Sequence, residues 1–194
     1  MTDFSIRKPE YPVEPLFVHR WSPRAMSGEP IPVAELMRLF EAARWGPSSY
    51  NGQPWRFLWA RRDTPPWTKF FGLLVEANRG WAHRAAALIV VVSRRLFEHN
   101  GQPARTYSFD AGAAWENLAL QGSAMGLVVH GMQGFDYDRA RSELRVPDEF
   151  DVQAMIAVGR PGRVEDLTEA QREREKPSPR KPVAEIALEG GFPP

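Results

Sequence analysis

The chain is expected to fold as one α+β domain, on three observations. Its 194 residues suit one domain rather than two. Hydrophobic residues make up 43% and charged residues 25%, the balance of a globular protein with a buried core. Helix-like and strand-like segments follow one another without a regular βαβ alternation, which argues against a doubly wound parallel sheet. No internal repeat or low-complexity tract interrupts the pattern.

The elements follow in order. Pro32 to Trp45 reads as an amphipathic helix. Leu36, Leu39, Phe40 and Ala43 repeat at helical spacing, Glu35, Arg38, Glu41 and Arg44 take the other face, and Gly46-Pro47 ends it. Arg56 to Ala60 is an aromatic and aliphatic strand, stopped by charge and then by Pro65-Pro66. Trp67 to Ala77 reads as a second helix. Ala87 to Ser93 is apolar and β-branched, as a strand buried on both faces would be. Thr106 to Met125 is long, Ala-rich and weakly charged, a central buried helix ended by Gly126. Leu127 to Gly131 is a short strand or turn, Tyr137 to Arg145 a helix stopped before Pro147, and Val152 to Gly159 a strand. Glu169 to Glu175 forms a short charged helix before a Pro-rich tail.

Of 18 prolines, six lie in residues 1–32 and six in residues 161–194. Proline fixes φ and cannot continue a helix, so both ends are expected to be extended arms running over a surface, their own or a neighbour's.

Composition excludes whole classes of function. Lys and Arg number 25 against 24 Asp and Glu, so no broad field draws nucleic acid or an anionic membrane. Any anion has to be held by a local cluster. With no cysteine there is no disulfide, thiolate metal site or Cys nucleophile. His19, His83, His99 and His130 lack metal-ligand spacing. The Gly-x-Gly-x-x-Gly fingerprint, the phosphate loop and the Gly-x-Ser-x-Gly elbow are all absent. Residues 1–20 lack the apolar stretch of a signal peptide, and the longest strongly apolar run, Ala85 to Val92, is far short of the roughly 20 residues that span a bilayer. A cytoplasmic protein without membrane association is expected.

Four segments carry chemistry. In Arg20-Trp21-Ser22-Pro23-Arg24, two guanidiniums bracket a hydroxyl in a stretch held out of helix by Pro23. Arg forks suit phosphate oxygens, although surface arginines are common and the segment reads equally as a solvated basic stretch. Gly46 to Phe57 sits between a helix end and a strand start. Its Ser48, Ser49, Asn51 and Gln53 supply the neutral donors and acceptors a planar heterocycle needs, or the caps of an ordinary turn. Gly131-Met132-Gln133-Gly134-Phe135-Asp136, with two glycines, lets the backbone approach a ligand, or is a plain glycine turn. Pro177-Ser178-Pro179-Arg180-Lys181-Pro182 stiffens a basic pair in an extended tail, which is otherwise a solvated charged end.

Taken together and in order, these segments resemble the FMN-dependent nitroreductase family from about Phe17 to Phe192. The match rests on Arg20-x-Ser22-x-Arg24, the helix from Val33 to Trp45, Pro47-Ser48-Ser49-x-Asn51-x-Gln53-Pro54-Trp55-x-Phe57, Gly134-Phe135-Asp136 with Gly159-x-Pro161, and Arg180. The resemblance implies a central mixed or antiparallel sheet flanked by helices, and an intertwined homodimer with two FMN sites at the subunit interface. It implies Arg20 and Arg180, helped by Ser22, on the FMN phosphate, and Arg24 at the pyrimidine edge, stabilising reduced flavin. Ser48, Ser49 and Asn51 would come from the other subunit, with the backbone of Gln133 and Gly134 near flavin N5. It further implies ping-pong hydride transfer from NADH or NADPH to a small-molecule acceptor such as a nitroaromatic or quinone, with the chemistry on the flavin and no side chain named as catalytic. Flavin enzymes of this fold that do not use nicotinamide (oxidases and dehalogenases) and a flavin-binding module without turnover are the alternatives. Pro23 within the first motif, Ser178 where many relatives carry a second cation, and the short connection from Arg94 to Arg105 depart from the family pattern.

Overall fold

The computed structural model describes residues 2–192. Met1, Pro193 and Pro194, at the extremities of the expected arms, lie outside the described residues.

Four strands form one sheet: β1 (Trp55–Arg61), β2 (Ala87–Arg94), β3 (Val128–Met132) and β4 (Phe150–Gly159), in the order β1-β2-β4-β3. Every neighbouring pair is antiparallel, which settles the mixed-or-antiparallel expectation. β2 lies inside the sheet and is buried almost from end to end, as its unbroken apolar run requires. Its side chains alternate between two cores. Leu88, Val90 and Val92 face one side, and Ala87, Ile89 and Val91 the other. Removing each Val, Ile or Leu from water contributes about 1.5–3 kcal/mol, which is why the two-sided strand organises the molecule.

The core on the Ile89 side is closed by α2 (Val33–Arg44) and α5 (Tyr107–Ala124). α2 places Leu36, Leu39 and Ala43 inward, the stripe read from its sequence. α5 places Ala111, Ala114, Leu118, Ala119 and Gly122 inward. Its small residues let it approach closely: a Cβ on Gly122 would stand 2.2 Å from Val129 Cγ2. The opposite core is closed by α3 (Trp67–Leu73), α4 (Glu76–Ala82) and α6 (Tyr137–Glu143) through residues such as Phe70, Leu73, Trp81 and Ala140.

The expected helix from Trp67 to Ala77 is in fact two, α3 and α4. The chain turns extended at Leu74 and Val75, where Leu74 bridges Phe135 and the Val75 N–H donates to the Gly134 carbonyl at 3.2 Å. A tertiary hydrogen bond there replaces a helical one. β4 begins two residues before the expected Val152, and α6 ends at Glu143 rather than at Arg145, which adopts a positive φ of 54°. The arms hold two short helices that periodicity missed, α1 (Pro15–His19) and α8 (Val183–Ile186); the helix expected at Glu169 to Glu175 is shorter, α7 (Glu169–Arg172). Within the chain the two arms meet each other. Arg7 Nε donates to the Ser178 carbonyl at 3.0 Å, and the Val183 N–H donates to the Glu10 carboxylate.

Candidate functional site

The segment from Arg20 to Ser27 runs beside the free edge of β3. Met26 bridges Pro161, the Ser27 N–H donates to the Arg160 carbonyl at 3.0 Å, and Met26 is buried against Gly159. With the segment pinned, its alternate side chains diverge. Arg20 and Ser22 turn into a cleft of about 460 Å³ between α5 and the β3–β4 edge, with Trp115, Glu116, Gly131 and Gln133. Trp21 and Pro23 line a separate depression with His19 and Glu175. The guanidinium of Arg20 is only 15% exposed, lies 3.4 Å from the Glu116 carboxylate and donates to Ser22 Oγ at 3.4 Å.

α5 supplies one wall of this cleft. Trp115 and Glu116 line it, and Gly112 and Ser108 lie one and two turns before Glu116 on the same side of the helix. Trp115 covers Gly131, where a Cβ would sit 3.0 Å from the indole. Gly112 is exposed, and the space where its Cβ would be is open to 4 Å. A β-bulge borders a separate depression that Tyr107, Asp151 and Gln153 line. Val91 pairs with Ala154 and Val92 with Val152, which leaves Gln153 unpaired. Gln153 Oε1 accepts from Ser108 Oγ at 2.8 Å beside Tyr107, whose hydroxyl donates to Asp151 at 2.8 Å. That bond, before burial, raises the Tyr107 pKa.

Other candidate residues lie elsewhere. Arg24 is outside the cleft: its guanidinium reaches the Arg174 carbonyl and the Glu175 carboxylate, 3.4 and 3.9 Å away. Glu175 has a side chain only 2% exposed and also accepts from the backbone N–H groups of Arg24 and Ala25, which ties the tail to the first motif. Gly134 closes the back of the cleft strand. Its carbonyl accepts from Asn78 Nδ2 at 3.0 Å, and a Cβ there would stand 2.7 Å from that atom. Arg180 is exposed and curls over its own turn, with Arg7 and Lys8 beside it.

Ser48, Ser49 and Asn51 belong to a loop fixed from below by Asp110, 5% exposed, whose carboxylate accepts from the Ser49 N–H at 3.1 Å and from the Thr106 hydroxyl. Ser48 Oγ accepts from the Gln53 N–H at 3.1 Å, and Tyr50, Asn51 and Gln53 all have positive φ. Asp110 precedes Glu116 by six residues, so the loop and the cleft are about 9 Å apart along the helix and turned by about 120°. The loop therefore does not line the cleft of its own chain.

The residues missed in the sequence are Trp115 and Glu116 in the cleft and Asp110 beneath the loop. They were hidden by the helix's Ala-rich, buried character. An aromatic and two carboxylates within an otherwise small and apolar helix were the available signal. Among the described residues no group of three or more His, Asp or Glu side chains is placed to hold a metal ion, and no helix is long and apolar enough to cross a membrane.

The architecture is a three-layer antiparallel α+β fold with an arginine-bearing cleft and, apart from it, a polar loop with three positive-φ residues. The nitroreductase family profile matches residues 18–64 and 64–160, and the chain belongs to that family. A crystal structure of an oxidoreductase containing FMN is 44% identical and superposes with a TM-score of 0.93, covering 100% of this chain and 99% of that one. A Desulfovibrio desulfuricans protein, described as a nitroreductase and solved in complex with FMN, is 26% identical with a TM-score of 0.72 over 95% of this chain and all of its own. A Thermus thermophilus protein named NADH dehydrogenase is 29% identical over 87% of this chain and 91% of its own.

Proposed function

We propose that the protein is an FMN-dependent oxidoreductase that takes hydride from NADH or NADPH and delivers it, in ping-pong fashion, to a small-molecule acceptor such as a nitroaromatic or quinone. The observation that carries this reading is the cleft: a nearly buried guanidinium and a hydroxyl at one end, an indole along the wall, and the β3 end from Gly131 to Gln133 among its lining. Its donor set fits a phosphorylated planar heterocycle. The likeness over the whole chain to an oxidoreductase containing FMN supports the same cofactor.

Bound FMN would supply the redox chemistry, accepting hydride from one substrate and passing it to the next. The chain's own residues bind and orient. Arg20 and Ser22, with Arg180 from the tail, would hold the phosphate dianion, sharing Arg20 with Glu116. The backbone of Gln133 and Gly134 would border the ring. Arg24 would add positive potential on the pyrimidine side from behind Glu175. Ser48, Ser49 and Asn51 do not line the cleft of their own chain and would complete that of a second copy, making a homodimer the working unit. This reading treats residues 1–194 as a single domain whose two arms reach the partner, and places the protein in the cytoplasm.

The test is an absorption spectrum of the purified protein, then anaerobic addition of NADH and NADPH. A flavin band that either nucleotide bleaches is expected. A band that both leave unchanged would overturn the nicotinamide step, and no band after reconstitution with FMN would overturn the cofactor. Arg20→Ala with Arg180→Ala is expected to strip FMN, because hydrogen bonds to charged groups contribute about 1.5–3 kcal/mol each. Full flavin occupancy in that double variant would move the phosphate site elsewhere.

A further inference from the structure

Arg7 lies in the Pro-rich N-terminal arm, outside every motif singled out in the sequence. In the fold it is half-buried and spans two segments distant in sequence. Its Nη1 donates to the carbonyls of Val18 at 2.9 Å and Arg20 at 2.6 Å, at the end of α1. Its Nε donates to the Ser178 carbonyl at 3.0 Å, two residues before Arg180, and Arg7 and Arg180 line one depression. One planar guanidinium thus grips the backbone of the residue that enters the cleft and the backbone of the tail that carries the second cation. Like charges repel. Burial, then Arg180, then Arg20 push the Arg7 pKa down, which sets three guanidiniums within one another's field. Glu116 offsets Arg20 and Glu10 lies in the depression with Arg7 and Arg180, but the bonds of Arg7 itself all go to neutral carbonyls, so a further anion shared by Arg20 and Arg180 would relieve the remaining repulsion.

We propose that Arg7 is a positioning residue for the FMN phosphate: it clamps the Arg20 segment to the Arg180 tail so that both cations converge on one dianion. This rests on the FMN reading above. Arg7 holds backbone and leaves the anion to Arg20, Ser22 and Arg180. Its fork geometry matters more than its charge, because an ammonium is a point donor that does not span two strands as the planar fork does.

The experiment compares FMN with riboflavin, which lacks the phosphate, by fluorescence titration of flavin-stripped protein. The variants are Arg7→Gln, Arg7→Lys and, as a charge-matched control, the exposed Arg163→Gln. Circular dichroism on each variant confirms its fold. FMN affinity is expected to fall about tenfold or more in both Arg7 variants, while riboflavin affinity stays within about twofold and Arg163→Gln matches wild type. The inference is overturned if Arg7→Gln binds FMN like wild type, if both flavins weaken alike, or if Arg7→Lys restores wild-type FMN affinity. Wild-type protein that binds neither flavin would instead remove the cofactor reading, and this inference with it.

Discussion

His130 shows how one residue couples the first motif to the core. It stands on β3 with its ring 4.6 Å from that of Trp81, and its Nδ1 lies 2.9 Å from the Pro23 carbonyl. A carbonyl only accepts, so Nδ1 carries a proton and donates it to Pro23. Burial, above all, holds its pKa below the usual 6.5. Arg24 and Arg20 push it the same way, while the bonds to the Pro23 and Ser22 carbonyls oppose them. The folded state therefore resists protonation more than the unfolded chain does. Stability from this site is complete above about pH 6.5 and is lost as pH falls from there toward the folded value. Urea midpoints are expected to drop between about pH 7 and pH 5, and His130→Gln, which keeps a donor without the titration, should flatten that slope. An unchanged slope would assign the acid sensitivity to other groups.

At the scale of elements, α5 is the part that serves two purposes. Its buried residues pack on α2 and the sheet, and Trp115 and Glu116 wall the cleft. Gly112 lies one turn before Glu116, and a Cβ there would meet nothing within 4 Å. A glycine inside a helix is about 0.5–1 kcal/mol less favourable than alanine, so an unpacked one marks a face kept clear for something else. Gly112→Ala is expected to raise the stability of flavin-free protein by about that amount in chemical denaturation and to weaken FMN binding in the same preparation. Higher stability with unchanged FMN affinity would free this face of any role. The split of the expected second helix into α3 and α4 belongs to the same scale. Local periodicity runs smoothly through Leu74 and Val75, and only the hydrogen bond to Gly134, far along the chain, breaks it.

At the scale of the whole molecule, the protein carries large aromatic side chains where water should be. Trp45, Tyr50 and Phe109 are 70%, 83% and 80% exposed; Trp45 precedes the loop that carries Ser48, Ser49 and Asn51, Tyr50 lies within it, and Phe109 precedes its anchor Asp110. Aromatic surface of this kind is typical of the core of a protein interface. In the proposed homodimer this surface is expected to be covered by the second copy. Phe109→Asp is expected to convert a dimer to monomers in sedimentation equilibrium and to lower FMN occupancy, leaving the monomer fold intact because the side chain supports little of it. A dimer that persists at wild-type affinity would place the interface on another face.

The order of elements, the two-sided burial of β2, the inward stripe of α2 and the polar residues of the loop after it all follow from spacing and chemistry along the chain. Each depends on neighbours a few residues apart, and that is what a sequence encodes most directly. The convergence of Arg20 and Ser22 with Trp115, Glu116 and Gln133, the retreat of Arg24 behind Glu175, the anchoring of Ser49 by Asp110 and the bridge made by Arg7 depend on residues far apart in sequence. Only the packing of α5 against the sheet edge and the meeting of the two arms decide them. Side-chain direction at a strand edge, or around a helix with two working faces, is set by what closes over it.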